Sequence, residues 1–162
     1  RTNDDPIEFI DRWQGPLQRH IERDFGDFVV RRADGLVAYQ LACAVDDAEM
    51  SEVVRGADLL ESTPRQIFLQ RRLGLTSPAY AHFPVVTNQR GEKLSKQTCA
   101  SAIRAERAPA TLVAALRFLG QSAPKSLCTA STGDVWSWAC EHWDAARVPH
   151  VRARTLEFEN VP

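Results

Sequence analysis

Residues 83–97 constrain this chain more than any other stretch. Phe83-Pro84-Val85-Val86 is a short apolar run. Asn88-Gln89-Arg90-Gly91 follows, with Asn first and Gly fourth, which is the chemistry of a type I turn. Gly91-Glu92-Lys93-Leu94-Ser95-Lys96-Gln97 is then a polar loop in which two lysines flank a Leu-Ser pair. The order is strand, turn, cationic loop. Two ammonium groups beside a strand end suit a polyanion such as a nucleoside triphosphate. Taken alone, Lys-x-x-Lys in a surface loop is more often solvated charge, so the neighbouring segments decide its meaning.

Upstream, Ile7-Glu8-Phe9-Ile10-Asp11-Arg12-Trp13 alternates and predicts a strand ending at Gly15-Pro16. A polar stretch follows. Phe25 to Arg32 reads as a second strand, stopped by Asp34-Gly35; Arg31 and Arg32 read as the solvated end of that strand rather than a phosphate site. Leu36 to Val45 is nearly all apolar and predicts a buried helix or a strand-to-helix junction, with Tyr39 and Gln40 as its polar handles. Without further context Tyr39 reads as a core tyrosine with a satisfied hydroxyl. Asp46-Asp47 closes the segment; two adjacent carboxylates can hold a metal, position an amine, or end a helix and face water.

Glu52 to Leu60 reads as a short strand, an Arg55-Gly56 step and a helix start. Open α/β sheets bind ligands outside the carboxyl ends of their strands, where an arginine can hold a carboxylate as a bidentate pair. Thr63-Pro64-Arg65-Gln66 has the form of a capped helix start: Thr as N-cap, Pro at the first position, Gln completing a capping box. Ile67, Phe68, Leu69 and Leu73 supply apolar contacts and Gly74 the stop. Strand, helix, strand, then lysine loop is half of a doubly wound α/β domain.

After Gln97 the sequence predicts helices and no strand. Pro109 to Leu119 carries Leu112, Val113, Leu116 and Leu119 on one face, with Gly120 as the stop. Ser131-Thr132-Gly133-Asp134 resembles a capping box. It opens a helix whose Trp136, Ala139, Cys140 and Trp143 share a stripe read as core, leaving Trp138 for any exposed contact and His142 at the surface. The last dozen residues read as loosely ordered.

Composition narrows the partners. The formal net charge of -1 gives no bulk electrostatic case for nucleic acid, so RNA would need a local basic patch. Cys43, Cys99, Cys128 and Cys140 have no zinc or redox spacing and read as reduced, mostly buried thiols of an intracellular protein. No apolar run is long enough to span a membrane.

Together these segments carry a family resemblance. Lys93-Leu94-Ser95-Lys96-Gln97 resembles the lysine loop that closes on ATP in class I aminoacyl-tRNA synthetases. His82-Phe83-Pro84 and the Asn-x-x-Gly turn resemble its glutamyl branch. Asp27 to Gly35, then Ala38-Tyr39-Gln40-Leu41-Ala42 with Val45-Asp46-Asp47, resemble the strand, turn and helix around the amino-acid pocket. Val54 to Leu59 with Ser62-Thr63-Pro64-Arg65-Gln66 resembles the next block. Between Asp47 and Val54 the chain is two residues shorter than the family pattern, with Ala48-Glu49-Met50-Ser51 replacing a Gly-bearing linker. That shortening bears on how Arg55 sits relative to Tyr39. Gln97, and Arg117-Phe118-Leu119-Gly120-Gln121, are similar to the short glutamyl-queuosine tRNA(Asp) synthetase branch.

The resemblance implies a fold, a reaction and a division of labour. The fold is α/β: the second half of a Rossmann-like class I nucleotide-binding fold, with a strand-rich connector at 1–36, the catalytic portion at 37–97 and a helical region at 98–162. Glutamate carboxylate attacks the α-phosphate of ATP, releasing pyrophosphate; a hydroxyl of the queuosine base of tRNA(Asp) then takes the glutamyl group. Tyr39 and Arg55 contact glutamate. Lys96 and Lys93 are the catalytic cations, and with Ser95 they bind ATP, with which magnesium is expected. No metal ligand is expected in this chain itself.

The resemblance also implies a cytoplasmic monomer, free of membrane, acting on L-glutamate, ATP and queuosine-bearing tRNA(Asp). The family's His-containing ATP loop, the first half of the nucleotide fold and a cysteine-rich zinc insertion are expected to precede Arg1. On that reading the chain is a C-terminal portion holding half an active site, incomplete and inactive by itself. Two alternatives stand beside it: a fragment of a long glutamyl-tRNA synthetase, and a non-catalytic RNA-binding module on a synthetase scaffold.

Overall fold

The computed structural model describes residues 2, 5–95 and 102–155. They form two compact units, Arg1–His82 and Phe83–Pro162. The expected mixed α/β class is observed.

The first unit is built on a four-stranded sheet of order β2-β1-β4-β3. Strands β1 (Pro6–Asp11) and β2 (Gly15–His20) are an antiparallel hairpin in which Asp11 faces Gly15. The predicted strand end at Gly15-Pro16 is thus a strand start. Asp11 Oδ1 accepts the backbone N–H groups of Trp13 (3.1 Å) and Gln14 (3.0 Å), and Gly15 adopts φ +77, so the chain doubles back. A short helix α1 (Ile21–Asp24) follows.

The predicted strand over 25–32 is corrected. Gly26 at φ +68 breaks the extended run, and the only ladder element left is an isolated Arg31–Val37 bridge around the Asp34-Gly35 turn. The segment's apolar residues act as anchors instead: Phe28 packs edge-on against Phe68, with ring centroids 6.4 Å apart.

Helix α2 (Tyr39–Asp46) holds most of the apolar run, but only Ala44 is fully buried; Tyr39 and Val45 are exposed, as are Leu36 and Val37 ahead of the helix. An eight-residue helix seated on one neighbour buries one stripe, so an all-apolar run does not become an all-buried helix. Strand β3 (Glu52–Gly56) leads through a 3-10 segment into α3 (Thr63–Leu73), which ends at Gly74 in the left-handed conformation, as expected. Strand β4 (Ala79–Phe83) lies parallel to β1, with Tyr80 opposite Asp11. The core comprises Ile7, Ile21, Ala44, Ile67, Phe68, Leu69 and Tyr80.

The second unit contains helices α4 (Ala108–Phe118) and α5 (Thr132–His142), packed through Val113, Leu116, Ala123, Val135 and Ala139. The Ser131–Asp134 capping box is present in full, with Ser131 Oγ accepting from Asp134 N and Asp134 Oδ2 accepting from Ser131 N. One expectation fails here: β5 (Val85–Thr87) pairs in parallel with β6 (Ala153–Thr155), so a strand does follow residue 98. β6 is three residues long and has no apolar alternation of its own, and its register comes from β5.

The tryptophan stripe is also corrected. Val135 and Ala139 face the core, and Trp138, half-buried, packs beside them and stacks on His142 at 4.7 Å. Trp136, Cys140 and Trp143 are exposed. With Leu112, Ala115, Leu116 and Leu119 they line an open apolar groove of about 370 Å³. His142 is at the surface, as expected. Among the described cysteines none is buried: Cys43 and Cys128 are half-buried and Cys140 is exposed, while Cys99 lies outside the described residues.

Candidate functional site

The buried polar side chains Thr63, Gln66 and His82 of the first unit converge on Arg55. The residue sits near the carboxyl end of β3, and its side chain is only 11% exposed. Its Nε–H donates to His82 Nε2 (3.1 Å); its Nη2 donates to Thr63 Oγ1 (2.7 Å) and to Gln66 Oε1 (2.6 Å). Its Nη1 faces Asp47 Oδ2 at 3.7 Å. The guanidinium also lies over the Tyr80 ring, 5.3 Å from the centroid.

Each partner is delivered by its own element. Tyr80 and His82 alternate on β4 and so share a face of the strand. Their rings stack at 6.2 Å. Asp11 ends the neighbouring β1. Thr63 and Gln66 open α3, and Asp47 closes α2. These residues lie at or near the strand carboxyl ends, where α/β sheets hold ligands.

The apparent capping box at Thr63 has a different use. Thr63 is already helical, because the 3-10 segment Ala57–Ser62 runs directly into α3 and leaves no free helix end to cap. Thr63 and Gln66, both fully buried, are turned to Arg55 instead. Gln66 Nε2 donates to Gln40 Oε1 (3.1 Å), which fixes Gln66 Oε1 as the acceptor. Gln40 Nε2 donates to Ser62 Oγ (3.2 Å).

The imidazole tautomer follows from donor counting. Arginine has no acceptor, so His82 Nε2 must be one. The ring proton is then on Nδ1, donated to Asp11 Oδ2 at 2.6 Å, with both side chains fully buried. A neutral imidazole therefore separates the Asp11 carboxylate from the Arg55 cation. Burial pushes the Asp11 carboxyl up, but the His82 hydrogen bond and the backbone N–H groups of Gln14, His82 and Trp13 together hold it below the usual carboxylate value.

The sign of the resulting pH effect is fixed. A depressed carboxylate stabilises the fold above its unfolded value of 3.8, and that stability is lost as pH falls through the lower folded value. Asp11→Asn is expected to flatten the acid limb of stability below pH ~4 relative to the wild type. Urea midpoints measured from pH 5 downward check this, and an unchanged acid limb refutes it.

The outer rim is Tyr39, Cys43 and Asp47. Tyr39 is 53% exposed, which corrects the core reading, and its side chain bonds to Cys43 one turn on. That bond, partial burial and the Cys43 and Asp47 charges raise its phenol pKa against the Arg55 charge, so the hydroxyl stays protonated at neutral pH. Burial pushes the Asp47 carboxyl up, Arg55 pulls it down, and the net shift is upward. Of the alternatives for Asp46-Asp47, neither a metal site nor a purely solvated pair describes Asp47, which is the counter-ion of Arg55.

In the second unit the turn and the first lysine are defined. Gly91 N–H donates to Asn88 O (2.9 Å), and Asn88 Oδ1 accepts from Arg90 N and Glu92 N. The chain returns along β5 through a Thr87–Lys93 bridge and a Leu94 N–H bond to Val86 O. Lys93 is exposed and Ser95 half-buried. Lys96 and Gln97 lie outside the described residues. Lys93 and Ser95 supply an ammonium and a hydroxyl, donors that match phosphate oxygens. Among the described residues no three of His, Cys, Asp or Glu come together, so the described part supplies no cage for magnesium. Nor is any helix among them long and apolar enough to cross a membrane.

The structure thus brings Tyr39 and Arg55 into one electrostatic neighbourhood and adds Asp11, His82, Thr63, Gln66 and Asp47. His82 and Gln40 stood in the sequence as parts of a motif, and Thr63 and Gln66 as caps. Asp11 had one signal: a carboxylate at the end of an apolar strand.

The catalytic-domain model of the class I tRNA synthetases (E and Q) matches residues 2–132. The chain is 61% identical over 143 residues to the glutamyl-Q tRNA(Asp) synthetase of Dechloromonas aromatica, covering 87% of this chain and 48% of that protein. It is 48% identical over 155 residues to the Pseudomonas aeruginosa protein of the same name, covering 94% and 52%. The chain therefore spans about half the length of the curated relatives it matches. Its fold is similar to a glutamate tRNA ligase from Elizabethkingia meningosepticum solved in complex with its amino acid. The TM-score is 0.69 at 22% identity, over 96% of this chain and 35% of that one. Matched across residues 2–132 on a mixed α/β fold, the chain belongs to the class I tRNA synthetases of the glutamyl and glutaminyl group.

Proposed function

We propose that the full-length protein activates L-glutamate with ATP and transfers it to the queuosine base of tRNA(Asp). The observation that carries this reading is Arg55. It is a cation enclosed by acceptors on one edge and open on the other only to Asp47 and the Tyr39 rim. A site that spends this much structure on one positive charge is built for a carboxylate. The relatives named glutamyl-Q tRNA(Asp) synthetase, at up to 61% identity, support the choice of acceptor.

In this reading Arg55 and Tyr39 hold glutamate, and residues 37–97 carry the chemistry between the flanking segments. Lys93, Ser95 and Lys96 hold the phosphates of ATP and stabilise charge on the departing pyrophosphate. The protein acts as a cytoplasmic monomer.

The test is a charging assay with labelled glutamate and the full-length protein, on tRNA(Asp) with and without queuosine and on tRNA(Glu). Label on queuosine-bearing tRNA(Asp) alone supports the proposal. Label on tRNA(Glu) assigns the protein to the long glutamyl enzymes' reaction, and no label on any tRNA favours a binding module. Within the active protein, Lys96→Ala is expected to slow glutamate-dependent pyrophosphate exchange about 10²-fold, the usual scale for one preorganised charge contact. Exchange within about twofold of wild type would remove Lys96 from the mechanism.

A further inference from the structure

We propose that His82, backed by Asp11, is a positioning residue that decides which edge of Arg55 meets the substrate. This rests on the reading of Arg55 as the glutamate contact.

A guanidinium has five N–H donors in a fixed fork. On Arg55 the Nε donor goes to His82, and the two Nη2 donors go to Thr63 and Gln66. The Nε/Nη2 edge, which commonly grips a carboxylate as a parallel pair, is therefore closed. Only Nη1 is left for a ligand, on the side of Asp47 and the Tyr39 rim. A substrate carboxylate meets Arg55 end-on at Nη1, displacing Asp47, instead of side-on along the fork. This proposal differs from the bidentate grip expected from the sequence.

His82 is what makes the closed edge rigid. Asp11 Oδ1 is held by the backbone N–H groups of Trp13, Gln14 and His82 itself (3.1 Å), leaving Oδ2 to accept the Nδ1 proton. With Nδ1 protonated, Nε2 presents its lone pair to Arg55. The backbone of the β1–β2 turn thereby fixes the guanidinium plane through two side chains.

Two conservative variants separate positioning from simple support. Asn at 82 puts an amide N–H where Nδ1 was, keeping the bond to Asp11 but giving Arg55 no acceptor. Gln reaches the place of Nε2 and offers Arg55 an oxygen, but loses the bond to Asp11. If His82 only supports the fold through Asp11, His82→Asn is the milder change. If it positions Arg55, His82→Gln is milder for glutamate.

The experiment is steady-state ATP–pyrophosphate exchange with the full-length protein, with glutamate and ATP varied separately. His82→Asn is expected to raise the glutamate KM about tenfold or more with the ATP KM unchanged, and His82→Gln to stay within about threefold. Equal effects of the two variants, the reverse ranking, or losses confined to kcat overturn the inference. Where His82→Asn fails to fold, His82→Gln decides alone: a near-normal glutamate KM supports positioning, and a rise of about tenfold overturns it. Arg55→Ala is run alongside. If it leaves the glutamate KM unchanged, or the wild type shows no glutamate-dependent exchange, the functional reading itself fails. If Arg55→Ala raises the KM and His82→Asn does not, only the positioning role falls.

Discussion

Arg55→Lys is expected to lower kcat/KM for glutamate by about 10²- to 10³-fold in pyrophosphate exchange, with the ATP KM unchanged. The substitution keeps the charge and loses the fork. One ammonium cannot bond His82, Thr63 and Gln66 and still present a donor beside Asp47, where Arg55 does all four from one rigid plane. Two charge-assisted hydrogen bonds at about 1.5–2 kcal/mol each, the low end of their range because lysine keeps the charge, with ~1.4 kcal/mol per tenfold, give the stated range. Retention of activity within about tenfold would mean that charge alone suffices and that the fork is incidental.

In the proposed reading, the same geometry ties substrate choice to the fold. The lysine variant also leaves buried acceptors without donors, at about 1–3 kcal/mol for each group left unpaired. Its melting temperature therefore falls with its activity, and the ATP KM is the control that separates the two. Asp47 occupies the open edge at 3.7 Å, beyond ordinary hydrogen-bond length. It balances the cation without gripping it, so an incoming carboxylate can take its place.

How much of this was legible in the sequence differs between the strands, the helices and the site. The β1 strand, the α3 helix with its Gly74 stop, the Asn88–Gly91 turn and the Ser131 cap are local features, and local chemistry specifies them. β6 is not local: three residues around Arg154 become a strand because β5 pairs with them from nearly seventy positions away. Residues 25–32 have strand-like composition, yet a single left-handed Gly26 turns them into a loop with aromatic anchors.

At the site, Arg55 and Tyr39 were legible as a motif, and their partners were not. Thr63-x-x-Gln66 satisfies the capping pattern completely and still caps nothing, because a 3-10 segment feeds the helix without a break. The polar pattern was right and the partner was wrong: those side chains bond an arginine eight and eleven residues upstream. Asp11 and His82 are 71 positions apart, and no spacing rule joins them.

Gly120→Ala is expected to be among the most damaging single substitutions in the second unit, costing about 2–5 kcal/mol. Two effects add. Gly120 sits at φ +80, where a side chain costs about 1–2 kcal/mol. A Cβ there would also stand 2.1 Å from the carbonyl oxygen of Arg147, a contact that forces backbone to move. The Arg147 segment has little room to retreat. The buried Gln121 side chain holds Asp144 from both ends of its amide, donating to Asp144 O (3.1 Å) and accepting from Asp144 N (3.0 Å). Arg147 N–H in turn donates to Asp144 O (3.1 Å), and its guanidinium bonds Ser122 Oγ (2.7 Å). Relief of the clash breaks some of these bonds, so overpacking of about 1–3 kcal/mol is added to the strain. Gly74→Ala is the internal control. Gly74 has the same left-handed conformation, φ +68, but nothing lies within 4 Å of its added Cβ, so only the strain of about 1–2 kcal/mol applies. Urea midpoints of the two variants measured side by side decide the matter: equal losses would mean that Arg147 yields freely and that Gly120 serves only as a helix stop.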